Sequence, residues 1–363
     1  MHTPQRKRLL RKSPFLLAGL PLLLPACLVN PPSALVHAQS GVVRGATEAE
    51  AQNLGGALDR LRPAVLELVP GTRVVEGLEV WIQDQPGLYA FPHQSNGEAE
   101  GLWAESHERI LLSRDADDLQ RTLAHELVHA SLDDSWHTLP GTLEEGLADV
   151  ISTRLVPEGA PRLRAGRLAS AALATGGLAL TIEVENPRLA SNWMARIHLS
   201  GTRPSEHPQR DVFKLAAGLS STKVAPAAKR GYYGLAYLLV QRVVDRKGLD
   251  HLHALCTEAD AAGLSQIPRP QLLAAAGLAD TPDAWRDAAL EGMGTEELRE
   301  LLRMHPDFVL DAVAGHLRTQ NPQDLASLNI RLSLRESGAT LDLGHDAEFL
   351  AALGERLTSE RLA

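Results

Sequence analysis

Cysteine is nearly absent from this chain, with only Cys27 and Cys256 among 363 residues. Once a leader containing Cys27 is set aside, Cys256 has no partner, so no internal disulfide framework exists and the core must hold the fold. Cys256 sits in the helical context Leu252 to Cys256, where a small buried residue is the ordinary reading. Aromatic residues are also scarce, at 4%, which leaves Leu, Ala and Val to fill the interior and favours helices. No apolar run reaches membrane-spanning length: Phe15 to Val29 covers 15 residues and is interrupted by Pro21 and Pro25.

That run follows Arg6, Lys7, Arg8, Arg11 and Lys12 and precedes small residues ending in Val36-His37-Ala38. This is the three-part layout of a secretory leader, so residues 1–38 read as a signal peptide and the protein as exported. Two processing sites compete. Cleavage after Ala38 leaves a secreted or periplasmic chain, whereas Leu24-Pro25-Ala26-Cys27 resembles a lipobox that would leave a lipid anchor on Cys27. Without its five basic leader residues the chain keeps 31 Lys and Arg against 45 Asp and Glu, a net charge of about −14. Such an acidic surface argues against nucleic acid as a partner.

Beyond the leader, apolar residues recur every three or four positions from Leu54 to Leu68, which predicts an amphipathic helix closed by Pro70-Gly71. Short β-rich stretches follow at Leu78–Ile82, Gly87–Phe91 and Arg109–Leu112, consistent with a small antiparallel sheet. From Asp118 the helical period dominates, with a further β segment at 328–334 and a least readable stretch at 157–230 that would hold a long helix, an insertion or a lid. The expected fold class is α+β: a catalytic domain over 39–291 with an N-terminal sheet and a helical lobe, then a helical extension over 292–363.

The sharpest chemical signal is His125-Glu126-Leu127-Val128-His129 within a helical stretch. At 3.6 residues per turn the two histidines lie about 40° apart on one face, so both imidazoles reach one tetrahedral ion. Glu126 falls beside them and can hold a water without ligating. A third ligand has to follow, and Gly141-Thr142-Leu143-Glu144-Glu145-Gly146-Leu147-Ala148-Asp149 opens a second helix after a turn. An antiparallel helix pair brings Glu145 to the histidines, giving two nitrogens, one carboxylate and an open position, the arrangement of a catalytic zinc site. Asp149, one turn further on, would accept the outer N–H of a ligand histidine. Thr142-x-x-Glu145 also fits a capping box, in which the glutamate only satisfies a backbone N–H.

These motifs resemble the gluzincins, zinc peptidases with His-Glu-x-x-His followed by a later glutamate, and especially the peptidase MA-like families with a Glu-Gly-Leu-Ala segment. The match is strong from Leu119 to Val150 and weak over the rest of a catalytic domain. The resemblance implies Zn2+ as cofactor on His125, His129 and Glu145, Glu126 as general base, a peptide or protein substrate, and a zincin-like fold with a sheet lobe before the motif helix. It also implies an oxyanion-stabilising phenol from Tyr233, with Tyr237 as reserve, and by analogy an extended substrate paired along Arg109–Leu112. Fifteen residues separate His129 from Glu145, fewer than in thermolysin or the aminopeptidases, and the Gly-x-Met-Glu-Asn segment of the aminopeptidases is missing. The metzincin continuation is absent too, since Leu132 and Ser135 occupy its Gly and third His positions. A second class stays open, a catalytically weak envelope scaffold that keeps the fold while its C-terminal helices bind a partner.

Overall fold

A computed structural model describes residues 32–84, 100–188, 190–201, 203–214, 226–318 and 325–359. Helix α1 (Glu48–Leu68) starts at Thr47, whose side chain accepts from the Glu50 N–H, and buries Leu54, Leu58, Leu61 and Val65, the stripe its periodicity predicts. It covers a five-stranded sheet of β1 (Ala34–Ala38), β2 (Gly41–Gly45), β3 (Glu79–Gln83), β4 (Gly101–Ala104) and β5 (Arg109–Ser113), in the order β1-β2-β3-β5-β4. The outer pairs are antiparallel, but β2/β3 and β3/β5 are parallel, so the sheet is mixed and not purely antiparallel. The parallel β2/β3 connection runs through α1, which supplies the crossover that parallel neighbours need. Strand β5, the expected peptide-pairing edge, lies between β3 and β4, and its backbone is taken up on both sides. The edge is β4. Of the other expected strands, Gly87–Phe91 lies outside the described residues.

Residues 34–38, assigned to the leader, form β1, paired with β2 from Ala34↔Gly45 to Ala38↔Gly41. Cleavage after Ala38 would remove that strand, while the alternative at Cys27, itself outside the described residues, would leave it. Among the described residues no helix is long and apolar enough to cross a membrane.

After β5 come α2 (Leu119–Ser131), α3 (Gly141–Leu155) and α4 (Ala160–Thr175), then the hairpin β6 (Leu178–Asn186) and β7 (Ser191–Leu199) and a short α5 (Pro208–Asp211). Helices α6 (Pro226–Lys247), α7 (Leu249–Ala261), α8 (Arg269–Ala276), α9 (Pro282–Glu291), α10 (Thr295–Met304) and α11 (Asp307–Arg318) follow, then β8 (Asn329–Leu334), β9 (Ala339–Asp342) and α12 (Ala347–Ser359). The 157–230 stretch thus contains a helix and a long hairpin. Strand β8 pairs with β6 to give a second, antiparallel sheet ordered β7-β6-β8-β9. The soft boundary at residue 292 is therefore no break, because the tail contributes strands to a sheet begun more than a hundred residues earlier, and residues 32–363 form one compact unit. Its α+β class is as expected.

Two glycines fix how the helices around the motif meet. A Cβ on Gly146 of α3 would stand 2.5 Å from the Ala236 carbonyl oxygen of α6, and one on Gly234 of α6 would stand 2.6 Å from the Ala171 N of α4. Neither position admits a side chain without moving backbone. Helix α6 is thereby held against α3 and α4 next to Glu145 and Tyr233.

Candidate metal centre

Helix α2 is set by Asp118, whose carboxylate accepts from the Arg121 N–H at 3.0 Å, and by burial of Leu123 and Leu127 at 0% exposure. Burying each leucine stabilises the fold by roughly 2 kcal/mol. This anchors the opposite face, which carries His125 and His129. Helix α3 packs alongside. Its cap is Pro140, with no side-chain cap bond, and Thr142 lies inside the helix, so no capping box forms. The Glu145 carboxylate turns instead to the histidines.

His125 Nε2 lies 3.3 Å from Glu145 Oε2, His129 Nε2 lies 3.5 Å from the same oxygen, and the two ring nitrogens are 3.2 Å apart. The three groups each offer one ligand atom within 4.8 Å of the others, and together they could hold a metal ion. Each outer ring nitrogen has its own carboxylate: Asp149 Oδ1 is 3.0 Å from His125 Nδ1, and Glu144 Oε1 is 2.7 Å from His129 Nδ1. These contacts aim both Nε2 atoms at the same point and hold the tautomer a metal ligand needs. Asp149 was expected here. Glu144 was not, although the pattern carries its signal: two ligand histidines have two outer nitrogens, and only one acceptor had been assigned.

The donor set fits a divalent cation on electrostatic grounds. Burial disfavours charge on His125, yet hydrogen bonds to Asp149 and Glu145 outweigh it and raise its pKa to about 9. His129 moves the same way, as the Glu145 charge and its bonds to Glu144 and Glu145 overcome burial. Burial would lift Glu145, but the charges of His129 and His125 hold it well below the usual carboxylate range. A buried carboxylate between two buried imidazoles thus demands positive charge, which bound protons or a metal can supply.

Glu126 is 6% exposed and stays out of the triad. Burial raises its pKa against the pull of His125 and His129, and its carboxylate accepts from the Trp103 backbone N–H of β4. Strand β4, the edge strand on this side among the described residues, therefore runs past this carboxylate.

Tyr233 reaches the centre from α6, half-buried. Burial and the negative charge of Glu145 raise its pKa, with smaller contributions from Asp149 and Glu126. Tyr237, one turn on, is 1% exposed and its hydroxyl has no hydrogen-bond partner among the described residues, so the reserve candidate is a core residue. His137 caps a turn and faces Asp260 at 3.4 Å, apart from the triad. His253 is half-buried against Trp136, with its Nε2 2.7 Å from Ser135 Oγ.

An open cleft of about 900 Å³, lined by Glu100, Arg121, Leu155 and Leu163 among others, includes Arg167 in its wall but none of His125, Glu126, His129 or Glu145. Searches for similar proteins return nothing that matches this chain, whether among family models, curated proteins or solved structures.

Proposed function

We propose that the chain is a zinc-dependent hydrolase, and specifically an exported peptidase of gluzincin type. The observation that carries the reading is the convergence of His125 Nε2, His129 Nε2 and a Glu145 oxygen, each histidine backed by its own carboxylate, beside a buried carboxylate left out of the ligand set. Two imidazoles and one carboxylate leave a position open for water, and this borderline-soft donor set suits zinc better than calcium or magnesium. A cation held there would polarise a carbonyl and bring the pKa of water toward neutrality.

The chain's own groups supply the rest. Glu126, kept basic by burial, accepts the proton of the attacking water and delivers it to the leaving amine. Because the Trp103 N–H of β4 meets this carboxylate, an extended peptide added along β4 would lie next to the base. The Tyr233 phenol keeps its proton because of burial and the surrounding carboxylates, so it is a hydrogen-bond donor available to a developing oxyanion.

The test is Glu126→Gln in the mature protein, assayed for zinc content and for cleavage of a broad peptide library. One zinc per chain in both proteins, with cleavage lower by about 10²- to 10⁴-fold in the variant, is the expected result. Protein without stoichiometric zinc would overturn the reading. Zinc without any Glu126-dependent cleavage would move the assignment to a binding role.

A further inference from the structure

Arg167 belongs to no motif, yet it touches both supports of the centre. It projects from α4, its Nε donates to Asp149 Oδ2 at 2.6 Å, and its guanidinium carbon lies 5.1 Å from the centroid of the Tyr233 ring. The other oxygen of Asp149, a residue at 0% exposure, is the one beside His125 Nδ1. One planar cation thus bridges the carboxylate that orients a ligand and the ring that carries the phenol. Backbone packing holds the pair in place, because α4 and α6 meet at Gly234, directly after Tyr233.

A buried ion pair alone would be the simplest explanation of Arg167, but it leaves two facts aside. When His125 acts as a metal ligand its ring is neutral, and Arg167 is then the cation that keeps Asp149 ionised in a fully buried position. The contact with Tyr233 adds an orientation that an ammonium at the same place would not fix, since the guanidinium donates through Nε to Asp149 while its carbon lies over the ring.

We infer that Arg167 is a positioning residue that holds Asp149 against His125 and the Tyr233 ring against the metal centre, so that one side chain sets both metal affinity and the placing of the phenol. The part concerning Tyr233 rests on the peptidase reading; the part concerning Asp149 does not.

Three variants, Arg167→Met, Arg167→Lys and Tyr233→Phe, and the double variant Arg167→Met with Tyr233→Phe separate these roles, after circular dichroism has shown that each folds. In competition with a chromophoric chelator, Arg167→Met should bind zinc about tenfold more weakly, Arg167→Lys should recover most of that loss, and Tyr233→Phe should match wild type. With zinc saturating, kcat of Arg167→Met should fall to that of Tyr233→Phe at unchanged KM, and the double variant should be no slower than the slower single one. Unchanged zinc affinity in a folded Arg167→Met protein would overturn the inference. So would additive losses in kcat, or a rise in KM alone, which would make Arg167 a substrate contact. Should Arg167→Met fail to fold, the Lys variant carries the comparison through its expected loss of kcat without loss of zinc. A wild type that binds zinc but hydrolyses nothing would refute the peptidase reading, and the chelator titration would still decide the link to Asp149.

Discussion

Raising the pH from about 6.5 to about 8.5 should tighten zinc binding steeply, because the metal-free centre holds a proton that zinc must displace. Hydrogen bonds to Asp149 and Glu145 overcome the burial of His125 and raise its pKa from 6.5 to about 9, so at neutral pH nearly every metal-free molecule carries that proton. A ligand imidazole must be neutral. Removing the proton at pH 7 costs about 1.4 kcal/mol per pH unit below the pKa, or about 3 kcal/mol in all, a roughly hundredfold weaker apparent affinity than above pH 9. The dissociation constant should therefore fall about tenfold for each pH unit across this window, and more steeply still if His129, shifted in the same direction, also gives up a proton. Chelator competition at fixed ionic strength measures the slope. Isothermal titration in buffers of different ionisation enthalpy counts the protons, and about one or more should be released per zinc at pH 7. Glu126→Gln should leave the slope unchanged, since Glu126 is not among the converging ligands. An affinity independent of pH, or zinc uptake without proton release, would show that the histidines are not the ligands and would refute the argument.

Three further outcomes follow from the same structure. Glu145→Gln keeps the size of the side chain and removes its charge; zinc affinity should drop by more than the roughly hundredfold upper range seen for outer supports of a ligand, and full affinity in chelator competition would hand the third position to another group. The metal-free protein should lose stability as pH rises: a histidine whose pKa is 6.5 unfolded and about 9 folded stabilises fully below 6.5 and no longer above 9, a loss of about 3 kcal/mol in urea unfolding that zinc-loaded protein should not share. Gly146→Ala should destabilise by roughly 1–3 kcal/mol, because its Cβ meets the Ala236 carbonyl oxygen at 2.5 Å, and a thermal melt matching wild type would show that α3 and α6 can separate at little cost.

The parts of the centre legible in the sequence were those fixed by helical period. His125, His129 and Glu126 share one helix, and their relation follows from 3.6 residues per turn whatever the rest of the chain does. Glu145 and Asp149 share another helix, and only the antiparallel packing of the two had to be assumed. The sheet was harder, because the pairing partner of a four- or five-residue strand is decided by the turn and crossover geometry around it. Leu78–Ile82 and Arg109–Leu112 read correctly as strands, yet nothing local shows that α1 and β4 would make β3 and β5 interior neighbours and put β4 on the edge beside Glu126. The hairpin β6–β7 was hidden for a related reason: it pairs with β8, more than a hundred residues away.

Arg167 shows where such reading stops and what kind of fact replaces it. It lies 18 positions after Asp149 on a different helix, in a stretch whose spacing repeats nothing in the motif, and its role exists only because α4 crosses α6 at Gly234. The same holds for the Trp103 N–H that meets Glu126, a backbone group that no side-chain motif can announce. Ligands are chosen by residue type and recur at set spacings, whereas the groups that aim them need only arrive at the right place, from any element that packs there. A helical motif can thus locate the candidate ligands of this chain, but the Asp149–Arg167–Tyr233 contacts and the β4 contact emerge only from three-dimensional packing. Arg167→Met and Glu126→Gln probe those contacts directly, and so they test the proposed assignment more sharply than further substitution of the histidines.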